Sequence, residues 1–225
     1  MAVYYLPEEP FFPPVDEAEP NGLVAIGGDL SVERLLQAYS SGIFPWFMEE
    51  DTVFWFSPDP RMILFPDQVK TSDSLMRIIR SNRFKVTFDT LFDQVIRRCA
   101  SATRPGQDGT WISQEFIDAY NALHQKGYAH SVEVFYQDEL IGGLYGVSLG
   151  AAFFGESMFY SAGNASKVAF HALVERCRQL GFSFIDCQME TDHLLSLGAT
   201  LVERKKFLLL LEDSLKKETI LGNWH

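Results

Sequence analysis

A chain of 225 residues with 47% apolar side chains is long enough for one large domain or two small ones around a sizeable core. Charged residues at 22% and aromatics at 14% exclude intrinsic disorder and collagen-like repetition, and no apolar run approaches the roughly 20 residues of a membrane-spanning helix. The net charge of −11 is uneven: residues 1–60 hold eleven acidic side chains and one basic one, Arg34, while the rest is nearly balanced. The opening segment MAVYYLPEEPFFPP has neither the basic nor the long apolar region of a secretory signal. Cys99, Cys177 and Cys187, odd in number and without CxxC pairing, read as reduced thiols. A soluble cytoplasmic protein that does not engage membranes is expected.

Nine of the ten prolines fall in the first 66 residues, which marks residues 1–65 as a turn-rich unit of short elements. Within it SVERLLQAYSS (31–41) predicts a helix, N-capped by Ser31 and stopped by Gly42. Gly27-Gly28 reads as a tight turn, since no phosphate-loop pattern follows it. Residues 70–85 carry Lys70, Arg77, Arg80, Arg83 and Lys85 against Asp73 alone. The spacing of three puts Arg77, Arg80 and Arg83 on neighbouring turns of one helix face, opposite Leu75, Met76, Ile78 and Ile79. Such a face is either merely solvated or a phosphate-binding strip, so the acidic balance does not exclude RNA; it requires RNA to dock locally.

Beyond residue 66 helix and strand alternate. Residues 113–126 predict a helix with Phe116, Tyr120 and Leu123 on one face. Residues 131–136, 139–147 and 150–156 predict three strands joined by short turns. Asn164 to Leu180 predicts a helix ended by Gly181, and residues 182–188 a buried strand. DHLLSLG (192–198) then leads to a last strand or two around residues 199–212. The fold class is α+β: a small N-terminal domain over residues 1–65 and a mixed-sheet domain over residues 66–225.

Polar residues stand out inside this framework. Asp186 and Gln188 flank Cys187 in one strand, so strict alternation turns both to one face and Cys187, as inert packing, to the other. Such a pair serves either a structural hydrogen-bond network or catalysis. Glu156 ends the apolar run GAAFFGE as an exposed strand end or a buried, paired carboxylate. Trp46 is a core anchor or a stacking face, Trp111 sits in a loop where a core residue is less expected, and Tyr120 suits core packing. Leu144, Phe153, Met158, Phe170 and Leu173 are core or pocket wall. His124, His130, His171, His193 and His225 show neither metal spacing nor a carboxylate triad and read as surface or core-edge residues, so no metal is expected.

Three strands, a helix and a further strand are the layout of the acetyl-CoA-dependent N-acyltransferase (GNAT) superfamily. Its Gly-rich pyrophosphate turn, however, has no counterpart in ESMFYSAGNASK (156–167), which suggests another acyl donor. The motifs EPNGLVAIGGDLS (19–31), AYSSGIFPW (38–46), WFSPDPR (55–61), GTWIS (109–113), AHSVEV (129–134), GGLYGVSLG (142–150), GESMF (155–159), NASK (164–167) and DCQ with HLLSLGA (186–199) together resemble the leucyl/phenylalanyl-tRNA–protein transferase family. The likeness runs from about residue 4 to residue 212.

That resemblance implies transfer of Leu, Phe or Met from Leu-tRNA, Phe-tRNA or Met-tRNA to the N-terminal Arg or Lys of a protein, marking it for degradation under the N-end rule. It implies no cofactor. A monomer is expected. Trp46, Trp111 and Tyr120 would meet the 3′-terminal adenosine, and Arg77, Arg80, Arg83 and Lys85 the tRNA phosphates. Leu144, Phe153, Met158, Phe170 and Leu173 would hold the donated side chain. Glu156 would position the acceptor's α-amine. Gln188 would hold that amine through its carbonyl oxygen, with Asp186 fixing the amide or taking the proton. An acetyl-CoA N-acyltransferase and a non-catalytic tRNA-binding module are the alternatives.

Overall fold

A computed structural model describes residues 3–102 and 110–224. Residues 5–56 build a four-stranded sheet from β1 (Tyr5–Leu6), β2 (Leu23–Gly27), β3 (Phe44–Glu49) and β4 (Thr52–Phe56), in the order β1-β2-β4-β3. Between β2 and β3 runs α1 (Val32–Ser40). The Ser31 hydroxyl accepts the Arg34 N–H at 3.3 Å and so caps it, as the sequence predicts. Leu35, Ala38 and Tyr39, spaced three and four apart, turn inward. Gly42 then reverses the chain at φ +73°, where an added Cβ would strike the Phe207 and Leu208 side chains.

The larger sheet has seven strands. Its elements in chain order are β5 (Arg61–Leu64), α2 (Asp73–Arg80), β6 (Lys85–Phe88), α3 (Phe92–Ser101), α4 (Gln114–Gln125), β7 (Ala129–Tyr136), β8 (Glu139–Leu149), β9 (Ala152–Tyr160), α5 (Ala165–Gln179), β10 (Phe184–Gln188), α6 (Asp192–Ser196), β11 (Thr200–Val202) and α7 (Arg204–Leu215). The order across the sheet is β11-β5-β10-β9-β8-β7-β6. β7, β8 and β9 form the expected antiparallel meander, and α5 crosses over so that β10 lies parallel to β9. This is the GNAT-like layout. α5 lies close on the sheet because β8 offers Gly142, whose Cβ would come within 2.7 Å of the Ala165 Cβ.

Four expectations change. β5 pairs with β10 and β11, so the passage from small to large sheet falls between Phe56 and Arg61 rather than at residue 65. The segment around 204–212 is helix, not strand. Phe207, Leu211 and Ser214 are buried at spacings of four and three while Leu209 stays exposed, a period that the unbroken leucine run conceals in sequence. The basic strip is not one helix face: α2 ends at Arg80, Asn82 turns at φ +50°, and Arg83 and Lys85 follow in a turn and in β6. Arg83 instead lays its guanidinium over the Phe84 and Tyr136 rings.

Last, His130 is interior and linked to a carboxylate. Its Nδ1 lies 2.8 Å from Asp89 Oδ2 and its Nε2 lies 3.1 Å from Ser148 Oγ. Trp224, beyond the span of the motifs, stacks on the His130 ring at 3.9 Å and donates its backbone N–H to the same Asp89 oxygen at 2.7 Å. Asp89, His130, Ser148 and Trp224 are all buried, so this chain of groups ties the carboxyl-terminal segment to the core.

Candidate active site

β9 and β10 pair only from Phe184–Ala152 to Asp186–Phe154 and then part. Each carries a bulge where they separate. Across β8, Gly146 faces Gly155 and Tyr145 faces Ser157, which leaves Glu156 as the extra residue of β9. Across β5, Asp186 faces Ile63 and Gln188 faces Met62, which leaves Cys187 as the extra residue of β10. A bulge bends its strand and re-aims side chains that alternation would send elsewhere. Opposite the first bulge only glycine fits, because a Cβ on Gly146 would lie 2.2 Å from the Phe154 carbonyl oxygen.

The parting strands open a cavity of about 350 Å³. Phe44, Pro45, Trp46 and Trp111 line it from the small sheet and from the loop before α4. Trp46 is braced edge-on by Phe56 at 4.8 Å, and Trp111 by Phe116 at 5.5 Å, which leaves part of each indole open. Leu144, Met158, Phe170, Leu173, Ile185 and Leu194 make an apolar wall, and Glu156, Asp186, Cys187 and Gln188 supply the polar side.

Two networks organise that polar side. In the first, the Glu156 carboxylate receives Tyr39 Oη at 2.7 Å and Gln188 Nε2 at 2.8 Å on Oε1, and Tyr120 Oη at 2.9 Å on Oε2. The two tyrosine oxygens are themselves 2.6 Å apart. In the second, buried Arg61 grips buried Asp186 with two parallel bonds, Nε to Oδ1 at 2.8 Å and Nη2 to Oδ2 at 2.7 Å. Phe44 and Phe207 cover the guanidinium at 4.7 and 4.6 Å. Asp186 Oδ1 also accepts the Gln188 N–H at 2.9 Å, and Gln188 sits at φ +61°. The Arg61–Asp186 pair thus props Gln188 in a left-handed conformation that delivers its amide to Glu156.

Burial pushes the Glu156 carboxyl up to about 7 despite its three donors, and the Asp186 charge adds to the rise. Burial, then the Glu156 charge, lifts the Tyr39 and Tyr120 phenols well above their ordinary range, so both keep their protons. The Cys187 thiol is pushed up by burial and by Asp186, which keeps it a poor nucleophile.

Of the expected residues, the fold brings Trp46, Trp111, Leu144, Met158, Phe170, Leu173, Glu156, Asp186 and Gln188 to one cavity. Tyr120 does not reach it: the ring is fully buried between Phe116 and Tyr145, and only its hydroxyl serves the site, through Glu156. Phe153 also falls outside the wall and packs in the core against Trp224. Cys187 lines the cavity instead of facing away, because the bulge ends the alternation. The expectation that Asp186 takes a proton fails on geometry, since both its oxygens are held by Arg61 and Oδ1 also by Gln188. Arg61 and Tyr39, which no spacing singles out, join the expected residues beside the cavity. The available signal was chemical: a guanidinium and a phenol inside apolar elements each need a buried partner.

The fold has the N-acyltransferase layout, and its cavity holds a carboxyl–amide pair where the parallel strands part. More narrowly, the chain belongs to the leucyl/phenylalanyl-tRNA–protein transferase family. The family model "Leucyl/phenylalanyl-tRNA protein transferase" matches residues 63–212, and that of its N-terminal domain matches residues 28–59. A leucyl/phenylalanyl-tRNA–protein transferase of Anaeromyxobacter sp. (strain Fw109-5) is 54% identical over 100% of this chain and 95% of its own length. That of Maridesulfovibrio salexigens is 52% identical over 100% and 94%, and that of Myxococcus xanthus 50% over 100% and 97%. Among solved structures, FemX is 12% identical with a TM-score of 0.48, over 76% of this chain and 66% of FemX. Among the described residues no helix is long and apolar enough to cross a membrane.

Proposed function

We propose that this protein transfers Leu, Phe or Met from the corresponding aminoacyl-tRNA to the N-terminal Arg or Lys of a protein, in the cytoplasm, and so marks that protein for degradation under the N-end rule. One observation carries the reading: a single cavity joins a pair of half-open indoles, an apolar wall and a carboxyl–amide pair. These are the three surfaces an aminoacyl-adenosine and an attacking amine require. Trp46 and Trp111 stack on the terminal adenine, a contact worth about 1–3 kcal/mol per base. Leu144, Met158, Phe170 and Leu173 hold the donated side chain; one methylene there is worth about 1–3 kcal/mol, which suits tolerance of Leu, Phe and Met.

The acceptor's α-amine, with an ordinary pKa of about 7.7–8.0, is partly neutral at cytoplasmic pH and attacks an already activated ester. The protein's task is alignment. Gln188 commits its Nε2 to Glu156, which leaves its carbonyl oxygen to accept an amine N–H. Glu156 lies beside it. Arg77 and Arg80, with Arg83 and Lys85 beyond the helix end, are exposed cations for tRNA phosphates. Incubation with Leu-tRNA and an N-terminal Arg peptide, read by mass spectrometry, tests the reading: a leucyl peptide is expected. Acetylation of the peptide from acetyl-CoA without any leucyl product would replace it.

A further inference from the structure

Glu156, Tyr39 and Tyr120 enclose three short oxygen–oxygen contacts: Oε1 to Tyr39 at 2.7 Å, Tyr39 to Tyr120 at 2.6 Å, and Tyr120 to Oε2 at 2.9 Å. Each contact needs one proton. With Glu156 ionised only the two phenol protons are present. Both point at the carboxylate, and the 2.6 Å contact between the tyrosines has none. With Glu156 protonated there are three protons for three contacts. Of the two directions round the ring, the better for Gln188, whose amide N–H already enters Oε1 at 2.8 Å, keeps Oε1 as the carbonyl oxygen, a stronger acceptor than a hydroxyl oxygen. Oε1 then accepts twice, Oε2 carries the acid proton and donates to Tyr120, Tyr120 donates to Tyr39, and Tyr39 donates to Oε1. No heavy atom has to move. The Gln188 N–H on Oε1 thus favours Oε2 as the oxygen that carries the proton.

We propose that Glu156 is the proton carrier of the transfer reaction and that Tyr39 is a positioning residue, which with Tyr120 closes a hydrogen-bonded ring that stabilises the acid form of Glu156. The proposal rests on the aminoacyl-transfer reading. As the amine nitrogen bonds to the ester carbon, its excess proton passes to the Glu156 carboxylate. As the bond from that carbon to the ribose oxygen breaks, the carboxyl returns a proton to that oxygen, giving a peptide bond and a free ribose hydroxyl with no net uptake or release. A carrier of this kind must hold the proton neither too loosely nor too tightly, and the Glu156 carboxyl, raised by burial to about 7, stands close to the acceptor amine. The groups facing it are Tyr39 from α1, Tyr120 from α4, Tyr145 from β8 beside Tyr120, and Gln188 and Asp186 from β10, the last neutralised by Arg61 from β5.

The ring predicts an inverted effect of losing a hydroxyl. A phenol that only donated to an ionised carboxylate would, when removed, make the carboxyl harder to ionise. In the ring, Tyr39→Phe deletes two bonds of the acid form and one charge-assisted bond of the ionised form. These roughly cancel, since a charge-assisted bond is about twice as strong. It also deletes the contact that lacks a proton, and this favours ionisation. The test is an infrared pH titration of free enzyme with carbon-13-labelled glutamate, run on the parent, Tyr39→Phe, Tyr120→Phe and Glu156→Gln, beside the pH profile of kcat/KM. Expected is a carboxylic-acid carbonyl band that fades as pH rises through about 7, is missing in Glu156→Gln, and in either Phe variant fades about one pH unit lower, the acid limb of kcat/KM moving with it. A midpoint unchanged or raised in the Phe variants, or no such band in the parent, overturns the ring. A parent that shows the band and the shifts but transfers no amino acid overturns the aminoacyl-transfer reading instead.

Discussion

Arg61→Met removes the cation from under Asp186 while keeping most of the side chain's bulk between Phe44 and Phe207. In the parent both partners are wholly buried, joined by bonds of 2.8 and 2.7 Å. The substitution leaves a buried carboxylate with the Gln188 N–H as its remaining donor in this network. Breaking a buried pair from one side costs about 3–5 kcal/mol, a large share of the roughly 5–15 kcal/mol that holds a domain folded. Pairing Arg61→Met with Asp186→Asn removes the stranded charge and keeps an oxygen for the Gln188 N–H, so the double variant is expected to recover about 1–3 kcal/mol of that loss. Urea unfolding at constant slope measures the parent, each single variant and the double. Activity should follow the prop on Gln188: kcat for Arg61→Met falls about 10²-fold at saturating tRNA, the penalty of a misplaced aligning group, with KM for tRNA within about threefold. An Arg61→Met protein within about 1 kcal/mol of the parent, or strict additivity in the double variant, would refute the claim that this pair holds the site.

Three further outcomes are expected. Trp46→Ala raises KM for charged tRNA about tenfold and Trp46→Phe much less, in steady-state kinetics; equal effects of the two would mean that stacking is not what the indole supplies. Replacing Arg77 and Arg80 together by Ala weakens all elongator tRNAs alike and flattens the logarithmic salt dependence by about 1.5–2, in filter binding; an unchanged slope returns these arginines to plain solvation. Trp224→Ala empties the space over His130 and lowers stability by about 3–5 kcal/mol in denaturant melts while kcat stays near the parent's, which would separate the carboxyl-terminal anchor from the chemistry.

What the sequence displayed well was periodic or punctuated. α1 is bounded by a capping serine and a glycine at positive φ, and both are legible as letters. The meander and α5 follow from alternation and from a helical period closed by Gly181. α7 is hidden because four leucines in a row satisfy either period, and only the burial of Phe207 and Leu211 against the exposure of Leu209 chooses between them. Tyr120 and Phe153 resemble cavity residues in sequence for a related reason: an aromatic residue on an inward face has the same signature whether it lines a void or fills one.

The polar groups of the cavity are legible as residues but not as geometry, and the cause is common to all of them. Alternation puts Asp186 and Gln188 side by side and hides Cys187, yet the bulge at Cys187 turns Gln188 to φ +61° and brings the thiol to the cavity wall. Alternation likewise says nothing of Glu156, the extra residue of the matching bulge in β9. Here the sheet holds a carboxyl and an amide 2.8 Å apart across two parting strands by breaking its own period there. The residues that break the period need partners from outside the strand. Arg61 reaches Asp186 from 125 positions away in the chain, and Tyr39 reaches Glu156 from 117. No local pattern encodes such a contact; what sequence does encode is the demand for it, a buried guanidinium and a buried phenol that cannot stand alone. Polar groups embedded in apolar periodic segments thus mark Arg61 and Tyr39 in the sequence itself, whereas the bulges at Glu156 and Cys187 that shape this site have no such mark.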